Sequence, residues 1–207
     1  KGKPLVHHLM NEDLKQAYEL AKVESDSLVP ITPAFLKRMN AMLMRTTGSV
    51  HSVMGGSFDS SKGEFRLCGV TAGVGGHSYM NYLKVPAKID EFCAILQAKQ
   101  KTTGTFREQY ELSFNVHLNL VTIHPWIDGN GRTARLLMNY IQFCYHLFPT
   151  KIFKEDREEY ILSLRQCQNE ETNHPFLDFM AWQLKKSLAL EIEQFNASRK
   201  KGFNFMF

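Results

Sequence analysis

Eight of the thirteen glycines fall between Gly48 and Gly76, and that stretch separates two kinds of chain. From about Thr46 to Tyr82 no helical period is sustained. Elsewhere apolar residues recur at helical spacing behind recognisable caps. A chain patterned this way folds as helices packed on one another, with a single irregular or β insertion.

The helical stretches can be placed one by one. Asn11 is a candidate N-cap for a helix over Glu12–Val23, with Leu14, Ala17, Tyr18 and Ala21 on one face. Thr32-Pro33 carries the cap-then-proline signature, and Phe35, Leu36, Met39 and Leu43 form the apolar face behind it. Pro86 starts a helix with Ile89, Phe92, Cys93 and Leu96 inward. Thr105 caps another to about Thr122, with Phe106, Tyr110, Phe114, His117, Leu118 and Val121 on one side. Asn130–Leu147, Glu155–Gln168 and Pro175–Asn196 complete the set. Inside the glycine-rich stretch, Phe65–Thr71 and His77–Leu83 read as two short strands around a turn, a β-hairpin. The expected fold is mostly α: N-terminal helices over 1–50, a loop and hairpin flap over 51–85, core helices over 86–198 and a tail over 199–207.

Charge and composition exclude several function classes. Lys and Arg number 25 against 21 Asp and Glu, and the resulting +4 is too mild to argue direct nucleic-acid binding. The longest apolar run, Leu136–Phe148, is interrupted by Asn139, Gln142 and His146 and falls short of the ~18 apolar residues of a membrane span. Four scattered cysteines (Cys68, Cys93, Cys144, Cys167) form no C-x-x-C pair, which suggests free thiols in a reducing, cytoplasmic setting. The chain opens on Lys1-Gly2-Lys3 rather than Met, so the missing targeting signal carries no weight.

One segment concentrates chemistry: His124-Pro125-Trp126-Ile127-Asp128-Gly129-Asn130-Gly131-Arg132-Thr133-Ala134-Arg135. It joins two apolar helices, where a linker would need only a turn. The glycines let bare backbone approach a ligand, and the loop leads into a helix N-terminus that favours anions. Arg132 and Arg135, spaced i,i+3, project from one side of that helix. Together they make a polyphosphate cradle. Asp128 is a carboxylate beside an anion site, a conflict that a bound Mg²⁺ resolves. His124 is a neutral-pH base able to take a proton from a nucleophile. Taken singly, each residue has a bland reading as a cap, a turn or a solvated surface group. Seven fixed positions at ~5% usage each coincide by chance about once in 10⁹ starting points.

At these residues the chain resembles the Fic family, whose signature is His-Pro-Phe-x-(Asp/Glu)-Gly-Asn-Gly-Arg-x-x-Arg. Trp126 replaces the usual Phe. Val116-His117 and Val121-Thr122-Ile123 resemble the helix before the signature, and Asn139-Tyr140 the helix after it. The resemblance implies a Fic-type helical bundle and a protein adenylyltransferase. Such an enzyme moves AMP from ATP to a Tyr, Thr or Ser hydroxyl of a target protein, with self-modification and AMP removal as related activities. It implies that His124 deprotonates the hydroxyl and Asp128 holds Mg²⁺. Asn130, with the backbone of Gly129 and Gly131, would receive the α-phosphate, Arg132 the β-phosphate and Arg135 the γ-phosphate. Gly131 separates this chain from the phosphate-transferring Doc pattern, which has Ala-Asn-Lys there. Another phospho-donor on the same fold, or a silent nucleotide- or partner-binding module, are the competing readings.

Gly63-Glu64-Phe65-Arg66 and the segment after it resemble the family's target-docking flap, with Phe65, Arg66 and Val70 as candidate docking residues. An extended target segment could add there as a strand, or the hairpin could simply cover the bundle. Many Fic chains carry an inhibitory helix with the pattern (Ser/Thr)-x-x-x-Glu-(Gly/Asn). Ser187-x-x-x-Glu191 is the one candidate toward the C-terminus, but Ile192 breaks it. Gly2-Lys3-Pro4-Leu5 resembles the segment on the C-terminal side of that helix, so an inhibitor just before Lys1 is expected.

Overall fold

The computed structural model describes residues 5–72, 76 and 78–201, without the side chains of 199–201. The turn at 73–75, His77, the Gly2-Lys3-Pro4 resemblance and the tail beyond 201 lie outside the described residues. Seven helices and one two-stranded sheet are described: α1 (Leu5–Asp26), α2 (Pro33–Met44), β1 (Val50–Val53), β2 (Gly56–Asp59), α3 (Val85–Thr102), α4 (Phe106–Ile123), α5 (Asn130–Cys144), α6 (Arg157–Asn169) and α7 (His174–Lys201). The chain divides into two compact units, Lys1–Leu147 and Phe148–Phe207. The break falls at the Phe148-Pro149 stop beyond α5 in the sequence.

In the first unit α4 and α5 pack together, α1 and α2 pack on α5, and α3 packs on α4. The inward faces are those the helical period specifies: Phe35, Leu36, Met39 and Leu43 from α2, and Ile89, Phe92, Cys93 and Leu96 from α3, are all buried. Thr32 caps α2 by accepting the Phe35 N–H at 3.1 Å. Thr105 and Glu108 form a reciprocal capping box on α4. Buried polar groups are tied across elements. Asp13 of α1 accepts from Arg45 (3.0 Å) and from the Thr46 backbone and hydroxyl (2.9 and 2.6 Å), fixing α1 to the end of α2. Tyr140 of α5 donates to the Val29 carbonyl at 2.5 Å.

Three local expectations are corrected. Asn11 lies inside α1, which begins at Leu5, so it is not the cap. Phe106, the first residue of α4, is 74% exposed and faces away from the core. The sheet is formed upstream of the expected hairpin: β1 and β2 pair antiparallel, with Val50 opposite Asp59 and Val53 opposite Gly56. Among the described residues between Phe65 and Leu83, the two limbs share the isolated bridge Thr71–Ser78.

In the second unit α6 packs on α7. Tyr160, Phe176, Phe179 and Trp182 form a chain of aromatic contacts there. Asp156 accepts from Gln183 at 2.8 Å and Lys186 at 2.7 Å. Ser187 is buried, and Glu191 accepts from Lys151 at 2.9 Å, an ordinary ion pair within this unit.

Gly63 is a tight backbone position beside the site. Its φ is +67°, and an added Cβ would stand 1.9 Å from the Lys37 carbonyl oxygen. Replacement by alanine therefore forces backbone to move. Gly63→Ala is expected to cost upwards of about 2 kcal/mol, read as a lowered urea midpoint at unchanged m-value.

Candidate active site

The site is a loop between two helix ends. α4 closes on His124, which takes a left-handed conformation (φ 52°, ψ 60°) while its N–H still reaches the Leu120 carbonyl at 3.0 Å. That region is costly for a residue with a Cβ, and the surroundings hold it there. Arg66 Nε donates to the His124 carbonyl at 2.8 Å, and the Arg66 N–H donates to the Pro125 carbonyl at 3.0 Å. The two terminal nitrogens of Arg66 donate to the carbonyls of Cys68 (2.7 Å) and Met80 (2.5 Å).

The His124 ring is held on its edge and its face. Nδ1 lies 3.2 Å from the Val121 carbonyl. Opposite an acceptor, Nδ1 carries the proton, which leaves the lone pair on Nε2. Tyr79 stacks on the ring face at 3.7 Å between centroids and 16° between planes. Burial pulls the imidazole pKa down to about 4, and the Arg66 cation acts the same way. The Val121 hydrogen bond and the Asp128 carboxylate oppose the shift and lose. The ring is therefore a neutral base near pH 7.

The loop beyond it is closed by reciprocal bonds. Asn130 Oδ1 accepts the Trp126 N–H at 3.0 Å, and Asn130 Nδ2 donates to the Trp126 carbonyl at 2.9 Å. The indole N–H donates to the Gly63 carbonyl at 2.9 Å, and the ring is fully buried beside Phe65. Gly129, at φ +81°, caps α5 with backbone alone, because a Cβ would stand 2.7 Å from Asn40 Nδ2 and 3.1 Å from Met44 Sδ. Asn40 in turn donates to Thr133 Oγ1 (3.0 Å) and the Asp128 carbonyl (3.3 Å). A helix opened this way leaves its first N–H groups without intrahelical acceptors.

The charged residues gather at that end of α5. Arg132 donates to the Leu43 carbonyl and to Met44 Sδ, both at 3.1 Å, and stands 3.4 Å from Asp128 Oδ2. Asp128 Oδ1 accepts the Gly129 N–H at 2.5 Å, yet its side chain is 68% exposed. The half-buried Arg135 passes 3.3 Å from where a Gly131 Cβ would be. Burial, with the Arg135 charge beside it, pulls the pKa of the fully buried His117 down to about 3.

The structure thus brings His124, Asp128, Gly129, Asn130, Gly131, Arg132 and Arg135 to one loop–helix junction. The Asn130 amide bonds the Trp126 backbone through both its oxygen and its nitrogen. Of the candidate flap residues, Phe65 is half-buried on Trp126 with the Lys37 ammonium 4.5 Å from its ring centre. Arg66 is fully buried and has no surface to offer a target. Val70 is half-buried, and its carbonyl accepts the Tyr79 N–H at 3.1 Å. Sequence reasoning missed Tyr79 and Asn40, and it named Gly63 only as part of the flap. Asn40 had a signal, since a polar residue four after Leu36 falls inside the apolar stripe of α2. Among the described residues no group of three or more His, Cys, Asp or Glu could hold a metal, and no helix is long and apolar enough to cross a membrane.

The Fic/DOC family profile matches residues 30–142. The protein adenylyltransferase Fic of Drosophila grimshawi is 32% identical over 195 residues, covering 91% of this chain and 36% of that protein. The chain thus spans about a third of the length of the curated relatives it matches. A Fic domain containing signalling protein from Bacteroides thetaiotaomicron superposes with a TM-score of 0.78 at 23% identity, covering 100% of this chain and 78% of that one. The effector BepC of Bartonella tribocorum, solved with bound AMPPNP, gives a TM-score of 0.57 at 15% identity over 84% of this chain and 85% of its own.

Both depressed histidines have a consequence for stability. Below the unfolded value of about 6.5 the unfolded chain takes up protons that the folded state refuses until about pH 4 at His124 and 3 at His117. Stability is therefore expected to fall as pH drops from about 6.5 toward 4. Urea midpoints across that range check it; a midpoint rising toward low pH contradicts the buried neutral rings.

Proposed function

The chain belongs to the Fic/DOC family, and we propose that it transfers AMP from ATP to a Tyr, Thr or Ser hydroxyl of a protein, releasing pyrophosphate. One observation carries the reading: a neutral imidazole with its lone pair on Nε2 stands at the same loop as a helix N-terminus that has no side-chain cap and is flanked by Arg132 and Arg135. The names of the curated relatives and the AMPPNP held by BepC support it.

In the proposed reaction the hydroxyl oxygen attacks the α-phosphorus, the bond to the β-phosphate oxygen breaks, and His124 Nε2 takes the hydroxyl proton. The first N–H groups of α5, among them those of Gly131 and Arg132, receive the α-phosphate charge. In this reading Arg132 would hold the β-phosphate and Arg135 the γ-phosphate. Transfer then rests on positioning and charge stabilisation more than on covalent chemistry.

Magnesium fits this donor set. The ion keeps several waters and uses one or two carboxylates together with substrate phosphates, and Asp128 is a single exposed carboxylate beside the anion site. When bound, the ion neutralises phosphate charge. A target segment would lie along the flap near Val70, where backbone bonding fixes register. Self-modification and AMP removal would use the same residues.

His124→Ala is expected to reduce labelled-AMP incorporation by about 10²–10⁴-fold while ATP affinity stays near that of the unchanged chain. Intact mass after incubation with ATP and Mg²⁺, alone and with lysate proteins, is the readout. No adenylate adduct on the chain or on any lysate protein would overturn the reading. Asp128→Asn is expected to raise the Mg²⁺ concentration needed for half-maximal labelling; an unchanged requirement would remove Asp128 from the metal.

A further inference from the structure

We propose that Tyr79 is a positioning residue whose ring forms a fixed wall against the His124 imidazole and holds Nε2 toward the acceptor hydroxyl. The inference rests on the AMP-transfer reading of the site and adds to it a residue outside the signature segment.

The stack is close and flat: 3.7 Å between ring centres, 16° between planes. An imidazole anchored only by an edge contact of 3.2 Å to Val121 could pivot about its χ2. A parallel ring on its face removes that freedom and limits the water that reaches it.

The wall is itself built in. The Tyr79 N–H bonds to the Val70 carbonyl at 3.1 Å, and the adjacent Ser78 bridges to Thr71. The next carbonyl, that of Met80, accepts from Arg66, which also holds the carbonyls of Cys68 and His124. One buried cation thus fixes both limbs of the flap to the backbone of the residue that Tyr79 covers. Wall and base are thus tied to the same guanidinium.

The ring face makes the contact, so a phenylalanine can replace it. The charged and titratable groups acting on the imidazole are Arg66, which opposes its protonation, and Asp128, which favours it. The Tyr79 phenol has its own pKa raised by burial and stays neutral. Removing the ring admits water to the imidazole face and releases part of the burial that keeps it uncharged.

Tyr79→Phe, Tyr79→Leu and Tyr79→Ala would be compared with the unchanged chain. The readouts are NMR titration of the His124 ring, kcat and KM for ATP in AMP transfer, and thermal melting. The phenylalanine variant is expected to match the unchanged chain. The leucine and alanine variants are expected to lose about 10–100-fold in kcat at unchanged KM. Their His124 pKa should move from about 4 toward the ordinary value of about 6.5, so the acid limb of the rate profile moves to higher pH. If the leucine variant titrates and turns over like the unchanged chain, the wall is dispensable and the proposal fails. It also fails if phenylalanine loses as much as leucine, because the hydroxyl then matters rather than the ring. Should no variant transfer AMP, the unchanged chain included, the function reading fails instead. The NMR titration still decides whether Tyr79 shields His124.

Discussion

The buried guanidinium of Arg66 is the interaction on which the rest of the site depends. A cation out of water costs several kcal/mol unless its hydrogen bonds are met, and here they are met by backbone carbonyls of Cys68, Met80 and His124. Carbonyls satisfy the donors without cancelling the charge, so a positive centre persists beside the loop. That charge helps keep His124 neutral. The same bonds hold His124 in its left-handed turn, from which the chain can run through Pro125 and into α5. Structural clamp and electrostatic tuning are one feature.

The loop beyond His124 is organised before any ligand arrives. Asn130 closes it on Trp126, Asn40 ties it to α2, and Gly129 gives it a backbone cap that no side chain obstructs. Donors fixed in advance need no reorganisation when charge develops on a ligand, which is where such sites gain most of their effect. Replacing the signature Phe by Trp126 brings an indole N–H into a fully buried position. Its bond to the Gly63 carbonyl answers that need, and Gly63 lies in a turn where only glycine fits. The substitution is thus supported by a residue 63 positions away in sequence.

Much of this was legible in the sequence because helical faces and caps are local. Thr32 and Thr105 cap as expected, and the inward residues of α2 and α3 follow the 3.6-residue period. Asn11 misled because a helix can begin before its first strong cap signal, and Phe106 because periodicity gives a side and not its depth. The position of the strands differs from the expected one for another reason. Two limbs around a glycine-rich turn should pair as a ladder, yet the carbonyls of Cys68 and Met80 are taken by Arg66, and among the described residues a single bridge joins them. A side chain that competes for backbone acceptors leaves no trace in propensity. Tyr79 on His124 and Asn40 beneath Gly129 are likewise long-range pairings that no local pattern encodes.

Asp128 and Arg132 pose the last question of the site, since an ion pair occupies the ground where an anion would bind. The pair is 3.4 Å apart, and its two side chains are unequally held: 68% exposed for Asp128 and 12% for Arg132. An exposed pair of that length contributes about 0–1 kcal/mol, so separating it costs little. Arg132 has two further contacts, to the Leu43 carbonyl and Met44 Sδ at the C-terminal end of α2, where the helix dipole also favours a cation. Among the described residues, Asp128 is held by one other side-chain bond, to the Gly129 N–H. Packing therefore decides which group yields. In the proposed reaction an anion entering the cradle would meet a guanidinium already in place, and the carboxylate would be the partner that turns outward toward a hydrated cation.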